Sequence, residues 1–171
     1  PIGAGRYTLT ETPQPGWIQS QTPAEFHVDY GVADAVFTGK DFGSWRPATI
    51  SGRKFNDHGA DGSGANDPGL AGWTIALDNG TTTTTTSTDG GFRFTDLMPG
   101  TYTIDERQQL RWRQTAPVTG SATVTVISGQ DLTGVEFGNV CTGEVQVSIP
   151  DTVGVRLEEI EVPGRLTNEP P

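Results

Sequence analysis

One block of the sequence occurs twice at a constant spacing, and this repeat constrains the fold more than any other feature. GRYTLTETPQPGWIQSQTP begins at Gly5, and GTYTIDERQQLRWRQTAP begins 95 positions later at Gly100, with Tyr-Thr, an acid, Trp, Gln and Pro in the same order. The same offset of 95 aligns TGKDFG at 38–43 with TGVEFG at 133–138. A constant offset at both ends of the block indicates two copies of one supersecondary unit.

The two copies differ in completeness. The second copy extends over residues 49–141, whereas the first has only the later half of the unit, residues 1–48. Residues 142–171 resemble an earlier half, because TGEVQVSIP matches the first strand of the complete copy. We therefore predict the back half of a split β-sandwich domain at 1–48, a complete β-sandwich domain at 49–141 and the front half of the split domain at 142–171.

The front half has three ways to complete the back half. The two halves meet within one chain, they meet between neighbouring chains by head-to-tail strand complementation, or the sequence is one phase of a longer tandem array. Half a sandwich on its own exposes sheet edges and half a core to water, which is costly. The sequence leaves the three arrangements open.

Alternation of apolar and polar residues is the dominant pattern along the chain. TGEVQVSIP places Val145, Val147 and Ile149 on one face, and the short segments FRFTDL and TYTID are separated by the turn MPG. Glycine and proline, with 23 and 12 residues, separate such segments at the spacing of antiparallel sheets. We predict an all-β chain of two prealbumin-like or immunoglobulin-like antiparallel sandwiches, one of them split between the chain ends.

Composition excludes several classes of function. With 11 basic and 21 acidic residues, the net charge of −10 repels phosphate backbones, so we expect no nucleic-acid partner. No apolar run is long enough to span a membrane. The single cysteine, Cys141, allows no intrachain disulfide, and His27 and His58 stand in no catalytic constellation. We expect no enzyme.

The complete copy resembles the B-type repeat domains of Gram-positive surface adhesins, of the collagen-adhesin B and serine-aspartate-repeat B types. The segments GLAGWTI, PGTYTIDE and FGN carry the resemblance. It implies a prealbumin-like sandwich outside the cell that acts as a stalk or spacer without enzymatic turnover.

The repeat and this resemblance together predict a structural subunit of an extracellular fibre or surface stalk that associates with neighbouring copies. The alternatives are a ligand-binding adhesin module, with Trp17, Trp45 and Trp112 on an exposed face, and an accessory β-domain of a larger secreted protein. Trp17 and Trp112 occupy equivalent repeat positions, which favours a packing role over a binding role.

The resemblance also implies two chemistries, the first of which is an internal Lys–Asn isopeptide bond promoted by a buried acid. Strand parity points Glu106, and its repeat equivalent Glu11, toward the interior. On the first strand, however, Phe55 is expected to be the buried residue, which turns Lys54 outward. The parity therefore disfavours the bond, and only a β-bulge would bring Lys54 inward.

The second chemistry is calcium binding in the loop after the first strand. In NDHGADGSGANDPG the hard oxygen ligands are those of Asp57, Asp61 and Asp67, with Asn66 or Asn56. The spacing departs from the family pattern, since Gly59 stands at a ligand position and no glutamate closes the loop. The alternative is an acidic loop rich in turn-forming residues. Around Asp151 the equivalent loop keeps one acid, so we expect no metal there.

Asn79-Gly80-Thr81 matches the acceptor pattern for N-glycosylation. The pattern is short and arises often by chance. Asn79 is therefore a candidate for glycosylation. The alternative is that NGTTTTTT forms a turn followed by a solvated edge strand.

Overall fold

The computed structural model describes residues 3–20, 25–31 and 35–143. The front half predicted at 142–171 lies outside the described residues from residue 144 onward, and so does the loop around Asp151. The strands are β1 (Gly5–Thr10), β2 (Ile18–Gln19), β3 (Glu25–Tyr30), β4 (Ser44–Trp45), β5 (Ala48–Asn56), β6 (Thr74–Leu77), β7 (Thr82–Thr85), β8 (Gly91–Leu97), β9 (Gly100–Glu106), β10 (Trp112–Ala116), β11 (Ser121–Val126) and β12 (Asp131–Cys141).

Strands account for nearly all of the regular structure, as the alternating sequence predicts. Among the described residues the only helical segment is a single 3-10 turn at Asp78–Gly80. No described helix is long and apolar enough to cross a membrane. The all-β fold class is confirmed.

The strands form two four-stranded sheets and two two-stranded sheets. The larger sheets have the strand orders β10-β12-β5-β8 and β11-β9-β6-β7. The smaller sheets pair β1 with β3 and β2 with β4, both antiparallel. The first and last strands of the complete copy, β5 and β12, are therefore neighbours in one sheet.

The sequence repeat is reproduced in the strand register. In the small sheet Ile18 pairs with Trp45 and Gln19 with Ser44. Adding 95 to each of these four numbers gives Arg113 with Val140 and Gln114 with Asn139, which is the observed register of β10 on β12. In the same way β1 corresponds to β9 at an offset of 95. The constant offset in the sequence is therefore a repeat of backbone structure.

Two compact units make up the described residues. One contains the residues up to Ile50 with Phe94–Thr101 and Thr125–Thr133, and the other contains Ser51–Arg93, Tyr102–Val124 and the residues from Gly134 onward. The second unit contains most of the buried apolar side chains, and its interior is formed by Trp73, Ile75, Ala76, Leu77, Phe92, Ile104, Val135 and Phe137. This interior surrounds the polar side chains described next.

Candidate functional site

Three polar side chains meet inside the second unit. Lys54 on β5, Glu106 at the end of β9 and Asn139 on β12 are all buried, and the exposed fraction is 0% for Lys54 and for Asn139. The two sheets each contribute to the group, since β5 and β12 belong to one and β9 to the other. Charged residues are almost never fully buried unless they are paired, so this group calls for a chemical explanation.

The prediction that Lys54 points outward is wrong. Ala48, Ile50 and Lys54 share one parity along β5, and all three are buried. Phe55 is buried as well, on the opposite parity, because the following loop covers it: a Cβ at Gly64 would lie 2.9 Å from the Phe55 ring. The phase of the strand is set by Ala48 and Ile50, so regular alternation is enough to bring Lys54 inward.

Both oxygens of the Glu106 carboxylate are engaged. The Lys54 Nζ lies 2.8 Å from Glu106 Oε2, and Asn139 Nδ2 donates a hydrogen bond of 2.7 Å to Oε1. Lys54 Nζ also donates to the Phe137 carbonyl oxygen at 3.4 Å. One carboxylate thus holds the amine and the amide side by side.

Burial raises the neutral fraction of Lys54, and two neighbours act in the opposite direction. Burial lowers the pKa of Lys54 below the ordinary value of 10.5, against the opposing hydrogen bond and charge of Glu106. The buried Trp73 ring covers the Nζ atom at 4.3 Å from the ring centroid, a cation–π contact that stabilises the protonated amine. A lowered pKa raises the fraction of neutral amine, which is the nucleophilic form of a lysine.

Burying Lys54, Glu106 and Asn139 without a covalent bond between them costs folding free energy. Asn139 Oδ1 is buried and has no hydrogen-bond partner in the described part of the chain, and an unsatisfied buried acceptor costs about 1–3 kcal/mol. A buried ion pair also carries a desolvation penalty that its attraction does not always offset. A condensation of Lys54 with Asn139 replaces the charged amine by a neutral amide and so relieves part of this cost.

A related pair occurs at the equivalent positions of the first copy. Ser44, which the offset of 95 aligns with Asn139, donates a hydrogen bond of 2.8 Å to Glu11 Oε1. Glu11 is half-buried, and its Oε2 atom is buried with no hydrogen-bond partner among residues 3–20, 25–31 and 35–143. The acid is therefore retained in both copies, but the amide is not.

The residues of the predicted calcium loop lie close in sequence but are engaged with the loop itself. Asp57 is fully buried, and its two carboxylate oxygens accept hydrogen bonds from the amides of Asp61 at 3.1 Å and Gly62 at 2.8 Å. Asp61 Oδ1 accepts from the Ser63 amide. Within the described part of the chain, no three His, Cys, Asp or Glu side chains converge as a metal centre needs.

The remaining members of the loop complete this description. Asp67 Oδ1 accepts a long hydrogen bond of 3.4 Å from the His58 amide, and Asn66 is exposed with a φ of 76°. Calcium binding by Asp57, Asp61, Asp67 and Asn66 stays a prediction. The loop is also hydrogen-bonded to β12, because the Asp57 amide donates to the Asn139 carbonyl oxygen at 2.9 Å.

Asp57 is held as a carboxylate. Burial by itself raises its pKa, but the interaction with the Thr115 hydroxyl and the hydrogen bonds from the Gly62 and Asp61 amides outweigh burial. The net result is a pKa below the ordinary 3.8. Asp57 is therefore a negatively charged carboxylate in the folded loop at neutral pH.

The other candidate residues lie apart from this group. Asn79 is exposed on the single 3-10 turn, and its glycosylation stays a prediction. Trp112 is half-buried and packs edge-on against Trp73, with ring centroids 5.7 Å apart, whereas Trp17 is 45% exposed. Cys141 is exposed at the end of β12.

Strand parity predicts that Glu106 points inward, but the sequence analysis does not identify Lys54, Trp73 or Ser44 as members of a site. The parity of Ala48 and Ile50 was available in the sequence and gives the position of Lys54. The 95-residue offset likewise aligns Ser44 with Asn139. For Trp73 no pattern along the sequence predicts that its ring covers a lysine.

The model of the SdrD B-like domain family matches residues 48–148, which is more than half of the chain. The chain belongs to this family. The resemblance to the B-type repeat domains of surface adhesins is thereby confirmed. No curated protein matches the sequence.

Several solved structures are similar to the chain at low identity. The minor pilin GBS52 of Streptococcus agalactiae is 18% identical, with a TM-score of 0.43 over 86% of this chain and 65% of that one. A streptococcal ancillary pilin is 19% identical, with a TM-score of 0.41 over 80% and 42%. BcpA, the major pilin subunit of Bacillus cereus, is 13% identical, with a TM-score of 0.41 over 77% and 41%. The chain thus spans less than two thirds of each, and no function is transferred from them.

Proposed function

We propose that the chain is a structural module of an extracellular stalk or fibre, and that an amide bond between Lys54 and Asn139 locks its complete copy. The observation that carries the proposal is the placement of the amine and the amide on the two oxygens of one buried carboxylate. Membership in the SdrD B-like family supports a role at the cell surface. A module that transmits force gains from a covalent connection between its first and last strands, β5 and β12, which otherwise neighbour each other in one sheet through hydrogen bonds.

The reaction needs only groups that are already present. Lys54 passes a proton to Glu106 Oε2, and the neutral Nζ attacks Cγ of Asn139. A C–N bond forms between Nζ and Cγ, and the bond from Cγ to Nδ2 breaks. Glu106 then gives one proton to the departing nitrogen and takes the second proton from Nζ, so that ammonia leaves, a neutral amide remains, and one proton stays on Glu106. Burial favours the step because it lowers the pKa of Lys54 and excludes water that competes for the amide.

The intact mass of the purified chain tests this bond. We expect the wild-type mass to be lower than the sequence mass by one molecule of ammonia, and tandem mass spectrometry to find Lys54 and Asn139 in one branched peptide. Asn139→Ser and Glu106→Gln are expected to show the full mass, because the first removes the acyl group and the second removes the base. Asn66→Ser, at an exposed position, is the matched control and keeps the loss of ammonia.

A folded wild-type chain that retains the full sequence mass after prolonged incubation would overturn the proposed bond. Circular dichroism establishes that each variant is folded before its mass is interpreted. Full mass in a folded Asn139→Ser chain beside reduced mass in the wild type assigns the missing ammonia to Asn139.

We also propose that a strand from outside residues 1–48 completes the N-terminal half. This strand comes from a neighbouring repeat in a tandem array or from another chain in head-to-tail assembly. Among the described residues β1 pairs only with β3, and β4 only with β2. Their equivalents β9 and β12 each have a second neighbour, β6 and β5. Leu9 is 39% exposed, whereas Ile104 at the equivalent position is fully buried. The bare edges and the exposed Leu9 support completion by added strands.

A further inference from the structure

We infer that the strand that completes the N-terminal half carries a hydrogen-bond donor opposite Glu11, a lysine above all, which the sequence of residues 142–150 does not supply at the aligned position. The inference rests on the proposed completion of residues 1–48 and specifies the chemistry of the partner. It is derived from the unpaired oxygen of Glu11 and from the register that the two copies share.

The shared register defines the position that the incoming strand takes. β4 has the same register on β2 as β12 has on β10. The second neighbour of β12 is β5, the strand that carries Lys54. A strand added beside β4 in the same way brings its own residue at the Lys54 position to the Glu11 carboxylate.

Glu11 has one oxygen available for that residue. Oε1 accepts the hydrogen bond from Ser44, and Oε2 is buried without a partner among the described residues. In the complete copy one oxygen of the equivalent Glu106 is bound by Asn139 and the other contacts Lys54 Nζ at 2.8 Å. The N-terminal half therefore has the acid and its first partner, and the place of the amine is open.

The predicted front half of this chain does not supply the amine. With Thr142-Gly143 aligned on Ser51-Gly52, Val145 takes the position of Lys54. A valine there leaves a buried carboxylate oxygen unsatisfied, and a carboxylate is more costly in that state than a neutral group. A strand of the β5 type, apolar in alternation with an inward lysine, satisfies the oxygen. Because Ser44 has no acyl group to offer, this partner binds without a covalent bond.

Three labelled peptides added to the full chain test the inference by fluorescence anisotropy. The first is TISGRKFND, residues 49–57; the second is the same peptide with Val in place of Lys; the third is TGEVQVSIP, residues 142–150. We expect the lysine peptide to bind at least about tenfold more tightly than the other two, as a charge-assisted hydrogen bond implies. Glu11→Gln, which keeps the shape and removes the charge, is expected to abolish most of this preference.

The chain's own residues 142–150 compete for the same edge if they bind there at all. A chain that carries Val145→Asp and Val147→Asp is therefore measured in parallel, because these changes remove the apolar alternation of its own segment. Equal binding of the lysine and valine peptides, or tighter binding of TGEVQVSIP, would overturn the inference and leave strand completion standing. Absence of binding by every peptide to both chains would overturn strand completion itself, and the inference with it.

Discussion

The two copies of the repeat hold the same acid in the same strand register and differ in what surrounds it. In the complete copy Glu106 lies between Lys54 and Asn139, all of them buried. In the N-terminal half Glu11 has Ser44 as its partner, and its other oxygen has no partner among the described residues. The proposed bond needs the amine, the acid and the amide together. In the proposed scheme, Ser44 in place of the amide and a completing strand from outside residues 1–48 turn a site for a covalent bond into a site for reversible binding.

The largest expected effect comes from making the complete copy resemble the N-terminal half at this position. Asn139→Ser removes the amide bond, which closes a long loop between β5 and β12. By analogy with a disulfide across a long loop, we expect a loss of about 4 kcal/mol in the free energy of unfolding. For a domain of this size the melting temperature falls by roughly 15–30 °C. Thermal unfolding followed by circular dichroism measures it.

The matched control is Ser44→Ala, which removes the partner of Glu11 without touching the complete copy. We expect that variant to retain the main thermal transition of the wild type. If Asn139→Ser melted at the same temperature as the wild type, the complete copy would be stabilised by noncovalent contacts alone, as the N-terminal half is. That result would contradict the proposed amide bond.

The equivalent tryptophans give the second contrast. Trp112 packs edge-on against Trp73, the ring that covers Lys54, whereas Trp17 is 45% exposed and has the Arg46 guanidinium 6.0 Å from its ring centroid. We expect Trp112→Ala to cost about 2–3 kcal/mol, as large aromatic truncations in packed sites do. Trp17→Ala is expected to cost less than about 1 kcal/mol. Urea unfolding of the two variants, both on an Asn139→Ser background, compares them; equal losses would contradict the difference in packing.

The smallest effect concerns pH. The pKa of Asp57 is lowered in the folded state, so its stabilising contribution is complete well above the ordinary value of 3.8 and is lost as the pH falls below that value. Asp57→Asn cannot titrate, and we expect it to be less stable than the wild type at neutral pH with a shallower loss toward acid. Unfolding midpoints measured from pH 6 to pH 2.5 on the Asn139→Ser background test this. Parallel pH curves for the two proteins would contradict a role for the Asp57 charge. Asp61→Asn, at an exposed position, is the control.

Much of the architecture follows from the sequence because alternation and repetition are properties of neighbouring residues. The offset of 95 predicts that β2 and β4 pair as β10 and β12 do, and the structure has that register. The parity of Glu106 and Asn139 is equally local.

The same reasoning gives the wrong face for Lys54, because the largest apolar side chain of β5, Phe55, predicts that the odd-numbered residues face the interior. Phe55 is buried by a loop that folds over the outer face of the strand, and the alternation within β5 contains no sign of that loop. Nor does any local pattern place Trp73 over the Lys54 amine, since the two residues lie on separate parts of the chain. Contacts of this kind depend on tertiary packing, which periodicity does not encode.

The adjacency of β5 and β12 has a topological consequence. With Lys54 and Asn139 joined by an amide, the backbone between them becomes a closed ring, and the chain enters and leaves that ring on neighbouring strands. A single proteolytic cut inside the ring opens it without separating the chain into two molecules. Damage to an exposed loop of the complete copy then leaves the module continuous from end to end.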